Sequence, residues 1–175
     1  MSSSEPDTSR ARPFNRQAQH DAKRTAILSE AARLFNGKGS RATTLQDIAA
    51  SLGLTKTSLY YYVRTKEELI YQCYLATLQR QHQALDELEK RTTVPVERIV
   101  GFLRRQFDQW ADARNGRDVH LAALLEIASL NDAHRSAVES AYINLFRRLR
   151  GYLRDGMEDG SLRHGDSTSM TRAII

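Results

Sequence analysis

Residues 44–66 read TLQDIAASLGLTKTSLYYYVRTK, and the first half of this stretch has the pattern of a short helix that ends in a tight turn. Its apolar residues recur at the spacing of one helical face: Leu45, Ile48, Ala49 and Leu52. Thr44 and Asp47, three residues apart, form a start that resembles a capping box. Gly53 is expected to end the helix, because glycine takes the left-handed conformation beyond a helix C-terminus at least cost.

The second half of the stretch has the pattern of another short helix, which Thr55 can cap. Leu54, Leu59, Tyr62 and Val63 give this helix an inward face. Two short helices joined so tightly cannot lie antiparallel, so they are expected to cross steeply. The outward face carries side chains that can donate hydrogen bonds to phosphates or base edges: Lys56, Thr57, Tyr60 and Tyr61. The stretch therefore predicts a DNA-binding helix-turn-helix at about residues 44–63.

The distribution of charge along the chain agrees with that prediction. Residues 1–80 hold 12 Lys and Arg against 7 Asp and Glu, and residues 81–175 hold 14 against 14. The whole excess of +5 therefore lies on the side of the helix-turn-helix, where a phosphate-binding surface needs it. A basic N-terminal portion is also a common solubility feature.

Composition indicates a globular protein without a membrane partner. Hydrophobic residues make up 41% of the chain and charged residues 27%, and no apolar run approaches a membrane span. The N-terminus has no charged-then-apolar leader, and the single cysteine, Cys73, cannot form an internal disulfide. We therefore expect a cytoplasmic location.

Apart from an N-terminal arm, the rest of the chain has a helical pattern. Residues 1–19 are predicted to be a disordered arm, and a helix is predicted from about Asp21 to Asn36. A long helix should begin at Thr65, which forms a Thr-x-x-Glu capping box with Glu68, and should reach about Lys90. Pro95 fits the first turn of the next helix, which should end at Asn115 and Gly116.

The last third of the chain predicts three more helices. Residues 119–130 are apolar nearly all round, which predicts a helix buried in the middle of a bundle. Asn131 or Asp132 can cap a helix with a long apolar stripe, and Asp166 or Ser167 can start a final one. The predicted fold class is all-α: an N-terminal three-helix DNA-binding domain (20–66), followed by a helical domain (67–175) for effector binding and dimerisation.

The motifs at 44–69 resemble the DNA-binding domain of the tetracycline-repressor (TetR) family. The resemblance runs from about Ala22 to Cys73, and these residues carry it: Thr44, Ile48-Ala49, Gly53, the run 55–62 and the run 65–69. Two positions depart from the family pattern, since Val63 stands where phenylalanine is usual and Thr57 where a small residue is common. The resemblance implies a homodimeric repressor that a small molecule releases from a near-palindromic double-stranded operator.

The candidate DNA contacts divide by the part of DNA that they would touch. The resemblance implies that Thr44 and Lys66 hold phosphates on either side of the groove, and both lie at helix starts, which favour anions. Tyr60 and Tyr61 are expected to contact phosphates and thymine methyl groups, with the alternative that Tyr60 packs on the first helix. Lys56, Thr57 and Ser58 lie nearest the start of the recognition helix and are our candidates for base readout.

The resemblance also implies an effector pocket inside the helical bundle. Apolar walls with a few polar anchors are typical of such pockets, and the candidates for its lining are Phe107, Trp110, His120, Leu124, Glu126, Tyr142 and Phe146. Each aromatic residue could equally be plain core packing. Arginines 147, 148, 150 and 154 share one face of a helix and could meet an acidic or acyl-CoA-like effector, although such a face is more often simply solvated.

No catalytic, metal or cofactor site is predicted. His82 and Asp86 have the i, i+4 spacing of metal ligands, but two ligands do not close a zinc site. No nucleophile, base and orienting group recur at a spacing that indicates catalysis.

Two alternatives to an operator-binding repressor stay open. One is an effector-binding or enzymatic bundle whose basic end meets an acidic protein partner. The other is a truncated chain that fails to dimerise, since the resemblance implies dimerisation through two last helices and only the beginning of one is predicted before Ile175.

Overall fold

The computed structural model describes residues 12–123 and 126–175, with side chains from residue 16 onward. Within those residues the chain is all-helical, as predicted. The helices are α1 (Arg12–Lys38), α2 (Leu45–Ser51), α3 (Lys56–Tyr60), α4 (Lys66–Arg91), α5 (Pro95–Arg114), α6 (Asp132–Glu158) and α7 (Ser167–Ile174), with one 3₁₀ turn (Ile127–Ser129) before α6. No helix in the described part of the chain is long and apolar enough to cross a membrane.

Helix α1 begins earlier than the sequence pattern predicted. Residues 12–19 were expected in a disordered arm but belong to α1; residues 1–11 lie outside the described residues. Pro13 is compatible with this start, because a proline in the first turn removes an N–H group that has no helical partner. The Gln17 side chain also donates a hydrogen bond to Asp21 one turn on, at 3.0 Å.

The short helices α2 and α3 form as predicted. Thr44 and Asp47 make a complete capping box at the start of α2, and Gly53 has a φ of +64° in the turn that follows. The Thr55 side chain accepts a hydrogen bond from the Ser58 amide at 3.1 Å. Leu59 and Val63 are buried, so they anchor α3 and its C-terminal turn to the rest of the unit.

The long helix α4 connects the two halves of the fold. The Thr65 side chain caps it by accepting from the Glu68 amide, but the Glu68 carboxylate accepts from the amide of Arg64 rather than completing the predicted box. Helix α4 packs against α1, α5 and α6. Its buried face runs from Leu69 to Leu88, so one rigid element belongs to both cores.

The predicted helix over residues 119–130 is wrong. Residues 119–123 have no regular structure, residues 124–125 lie outside the described residues, and only Ile127–Ser129 form a 3₁₀ turn. Side chains of α1 and α4 bond the backbone of this segment, and those bonds take the place of helical hydrogen bonds. We refer to residues 118–123 and 126 as the strap.

The other late elements agree with the sequence pattern. Helix α5 starts with Pro95 in its first turn and ends before Gly116, which has a φ of +69°. Asn131 caps α6 by accepting from the His134 amide, and Asp166 caps α7. The buried stripe of α6, which includes Val138, Leu145 and Leu149, packs on α4 and α5.

Candidate nucleic-acid interface and ligand cavities

The outward face of α3 is exposed as the sequence predicted. The exposed fraction is 76% for Tyr61 and 42% for Tyr60, and the Lys56 ammonium group lies 5.6 Å from the centre of the Tyr60 ring. Thr57 and Ser58 are also exposed, although the Ser58 hydroxyl lies within hydrogen-bonding distance of the Thr55 hydroxyl at 2.8 Å. A lysine, two hydroxyls and two phenols thus share one short convex surface.

One side chain beside this surface was missed by the sequence reasoning. The His20 ring of α1 lies 4.9 Å from the Tyr62 ring and 5.9 Å from the Tyr61 ring, measured between centroids. The spacing of seven residues between His20 and the buried Ile27 could have placed His20 on the inward face, had α1 been predicted to start earlier. Tyr62 therefore packs partly against α1.

Thr44 and Lys66, which were predicted to bind phosphates on either side of the groove, differ in burial and in their hydrogen-bond partners. Thr44 is exposed and exchanges hydrogen bonds with Asp47, whose pKa these bonds hold below its ordinary value. The Lys66 ammonium group is half-buried and donates to the Ser40 carbonyl at 3.0 Å. Because an ammonium group has three donors, Lys66 keeps further donors for another acceptor.

A cavity of about 850 Å³, larger than the others described below, lies between α4, α5, the strap, α6 and α7. Three predicted lining residues, Phe107, Trp110 and Tyr142, border it. No charged side chain of the described residues lines this cavity, and the Gln81 side-chain oxygen at its wall is buried without a hydrogen-bond partner among them. We call it the apolar cavity.

The other predicted lining residues do not converge on the apolar cavity. His120 borders two neighbouring cavities, of about 480 and 260 Å³, and Glu126 borders a smaller one beside Ser40. Phe146 is half-buried and does not border the apolar cavity. Leu124 lies outside the described residues. His120, Leu124 and Glu126 were inferred from a helix over 119–130 that does not form, whereas Phe146 lies on α6, which does form.

The strap separates the apolar cavity from α1, and side chains hold it on both sides. Ser29 and Asn36 of α1 accept hydrogen bonds from the amides of His120 and Ala123, both at 2.9 Å. Thr77 of α4 accepts from the Ala122 amide at 2.9 Å, and the Tyr74 hydroxyl accepts from the Glu126 amide at 3.1 Å.

The strap also reaches the loop that precedes α2. The Ser40 hydroxyl donates a hydrogen bond to the Glu126 carboxylate, while the Ser40 carbonyl accepts from Lys66. Ser40 lies four residues before Thr44 in sequence. The Ser40 loop is thus hydrogen-bonded both to the strap and to Lys66 at the start of α4.

The arginine face of α6 is not uniformly solvated. Arg148 is paired with Asp86 at 2.7 Å and with Glu89 at 2.9 Å, whereas Arg147, Arg150 and Arg154 are exposed. Arg148 also lies 3.2 Å from Nδ1 of His82, so the predicted i, i+4 pair of His82 and Asp86 is engaged by a guanidinium group. The described residues contain no group of three or more His, Cys, Asp or Glu side chains placed to hold a metal ion.

The geometry is that of a helix-turn-helix protein with an attached helical bundle, and comparison with known proteins agrees with it. Residues 27–73 match the profile of the family described as bacterial regulatory proteins, tetR family. The TetR family transcriptional regulator PfmR from Thermus thermophilus has 32% identity and a TM-score of 0.65, over 84% of this chain and 79% of its own. The chain belongs to the tetR family of bacterial regulatory proteins.

A repressor from Mycobacterium tuberculosis is similar as well. The HTH-type transcriptional repressor KstR2 is 31% identical over 90 residues, which are 51% of this chain and 45% of the relative. The solved structure of the ketosteroid transcriptional regulator KstR2 has a TM-score of 0.69 and 25% identity, over 87% of this chain and 77% of its own. The matched region thus spans less than half the length of the curated relative.

Proposed function

We propose that this protein is a one-component transcriptional repressor. As a homodimer it binds a near-palindromic operator in double-stranded DNA, and a small-molecule effector in the helical bundle releases it. The observation that carries the proposal is the outward face of α3, where Tyr60 and Tyr61 are exposed beside Lys56 on a helix anchored by buried Leu59. Exposed aromatic rings and cationic groups on a recognition helix suit contact with DNA rather than with water.

The residue roles follow from position on this face. Lys56, Thr57 and Ser58 occupy the first turn of α3 and read base edges in the major groove. Tyr60 and Tyr61 contact phosphates and thymine methyl groups. Thr44 and Lys66, at the starts of α2 and α4, bind phosphates on either side of the groove, with the helix-terminal amides favouring the anion.

The two functional halves meet at α4. Residues 20–66 are the DNA-binding domain and residues 67–175 the effector-binding and dimerisation domain, with the part of α1 before residue 20 extending the first. Tyr71 to Leu78 is the transmission segment, because Tyr74 and Thr77 bond the strap and Tyr71 stacks on His134 of α6 at 3.9 Å between ring centroids. Effector binding that moves the strap would therefore shift α4 and change the spacing of two recognition helices, which must lie about one DNA turn apart.

The apolar cavity is the proposed effector site. Its uncharged lining takes the apolar part of a ligand, and the Gln81 oxygen is available to accept one hydrogen bond from it. An acidic or acyl-CoA-like effector would place its anionic part in the neighbouring 260 Å³ cavity. That cavity is lined by Arg114 and by Arg33, which is paired with Glu30, and it shares Trp110 and Leu121 with the apolar cavity.

Substitution of Tyr61 by alanine tests the DNA-binding surface. A duplex is first selected from a random-sequence library by the unaltered protein, and its affinity for each variant is measured by fluorescence anisotropy. We expect Tyr61→Ala to weaken binding by about 1–3 kcal/mol, the range for a lost specific contact, with an unchanged melting temperature. Val100→Ala is the control, since Val100 is an exposed apolar residue of α5 and does not border the apolar cavity. Equal affinity of Tyr61→Ala and the unaltered protein would refute the proposed contact surface.

A further inference from the structure

Three aromatic rings join the first helix to the end of the recognition helix. The rings of Tyr61 and Tyr62 meet edge to face at 5.3 Å, with an interplanar angle of 81°. The His20 ring packs against both, tilted by 30° over Tyr62 and nearly perpendicular, at 78°, to Tyr61. We call these residues the three-ring cluster. All its centroid distances fall in the range where aromatic pairs attract each other.

Ring contacts, rather than hydrogen bonds, orient His20. Its Nδ1 atom is buried without a hydrogen-bond partner among the described residues, and the nearest carboxylate oxygen, of Asp21, is 3.5 Å away. That separation is too long for a hydrogen bond of ordinary strength. The histidine ring thus contributes to the cluster through its faces and edges, and an aromatic hydrocarbon ring could make the same contacts.

Tyr61 has little else to fix its side chain. It lies at the C-cap of a five-residue helix and has an exposed fraction of 76%. In the part of the chain that the structure describes, no hydrogen bond is found for its hydroxyl, and its ring contacts are those to His20 and Tyr62. An unrestrained tyrosine would lose rotamer freedom on binding, which lowers affinity.

We propose that His20 is a positioning residue for DNA recognition, which acts through Tyr61. By closing the three-ring cluster, His20 holds the Tyr61 ring in one orientation before DNA arrives. The inference rests on the proposed function, because it assigns Tyr61 to the DNA contact. It also gives the N-terminal part of α1 a role in recognition that does not require that part to touch DNA.

Three substitutions at one position separate ring contact from simple filling of space. His20→Ala removes the ring but keeps a strong helix former in α1. His20→Leu restores apolar volume without a ring, and His20→Phe restores a ring without ring nitrogens. His164→Ala is the matched control, since His164 is exposed in the loop between α6 and α7.

Affinity is measured for the duplex selected by the unaltered protein. We expect His20→Ala and His20→Leu each to bind about two- to tenfold more weakly, from the known strength of aromatic pairs. His20→Phe should stay within about twofold of the unaltered protein, as should His164→Ala. If His20→Phe binds as weakly as His20→Ala, ring contact does not carry the effect and the proposal is overturned.

A double-mutant cycle with Tyr61→Ala tests whether His20 acts through Tyr61. In the Tyr61→Ala background, His20→Ala should cause no further loss of affinity. Losses that multiply in the double variant would show that His20 contributes independently, and would overturn the positioning role. If the unaltered protein selects no duplex, the proposed function fails together with this inference; if it selects one that His20→Ala binds equally well, the inference alone fails.

Discussion

Single threonine side chains cap the short helices of the helix-turn-helix. Thr55 is the sharpest case, because α3 has only five residues and one cap hydrogen bond at its start, from the Ser58 amide at 3.1 Å. Such caps were predictable from sequence, since donor and acceptor lie three residues apart. His20 was not predicted, because its ring partners lie more than 40 residues away in the chain.

Replacing Thr55 by alanine should therefore destabilise the protein. We expect the free energy of unfolding to fall by about 1 kcal/mol, the usual cost of a lost N-cap side chain. Urea unfolding followed by circular dichroism measures it. Thr57→Ala makes the same change two residues on, at an exposed position, and should be neutral or slightly stabilising. Indistinguishable stabilities for the two variants would mean that the cap does not hold α3.

At the scale of elements, the strap shows where sequence periodicity fails. An apolar run over residues 119–130 predicts a buried helix, yet four backbone amides of the strap, those of His120, Ala122, Ala123 and Glu126, donate to side chains of α1 and α4. Those acceptors lie 45 to 91 residues away in sequence, so local propensity carries no sign of them. These tertiary hydrogen bonds pair the backbone amides of the strap, so the amides do not need partners within a helix.

The strap contact at Thr77 is the most buried of these bonds and gives a direct test. Thr77→Val keeps the side-chain shape but removes the acceptor for the Ala122 amide, and both residues are buried. An unsatisfied buried donor costs about 1–3 kcal/mol, so the free energy of unfolding should fall by that amount. The Ala122 amide should also exchange with deuterium faster in the variant. Thr57→Val, at an exposed site, is the control; unchanged exchange at Ala122 would show that the strap does not depend on Thr77.

At the scale of the whole molecule, the helix-turn-helix was more predictable than the cavity. The helix-turn-helix is a contiguous stretch, whereas the apolar cavity collects residues from α4, α5, the strap, α6 and α7. Helix α5 illustrates the difficulty: Phe107 and Trp110 were predicted to line a pocket inside the bundle, and they border the cavity although they are 72% and 54% exposed. Ile99 and Phe102 form the buried face instead, and periodicity alone does not separate the two adjacent apolar stripes.

The ratio of specific to non-specific DNA affinity shows whether this protein is a sequence-reading repressor. The dissociation constant is measured for the selected duplex and for a scrambled duplex of equal length and composition, each over a series of salt concentrations. A sequence-reading repressor should prefer the selected duplex by about a thousandfold or more at physiological salt, and its affinity should fall steeply as salt rises. A ratio near one at every salt concentration would contradict the account and favour an acidic partner for the basic surface.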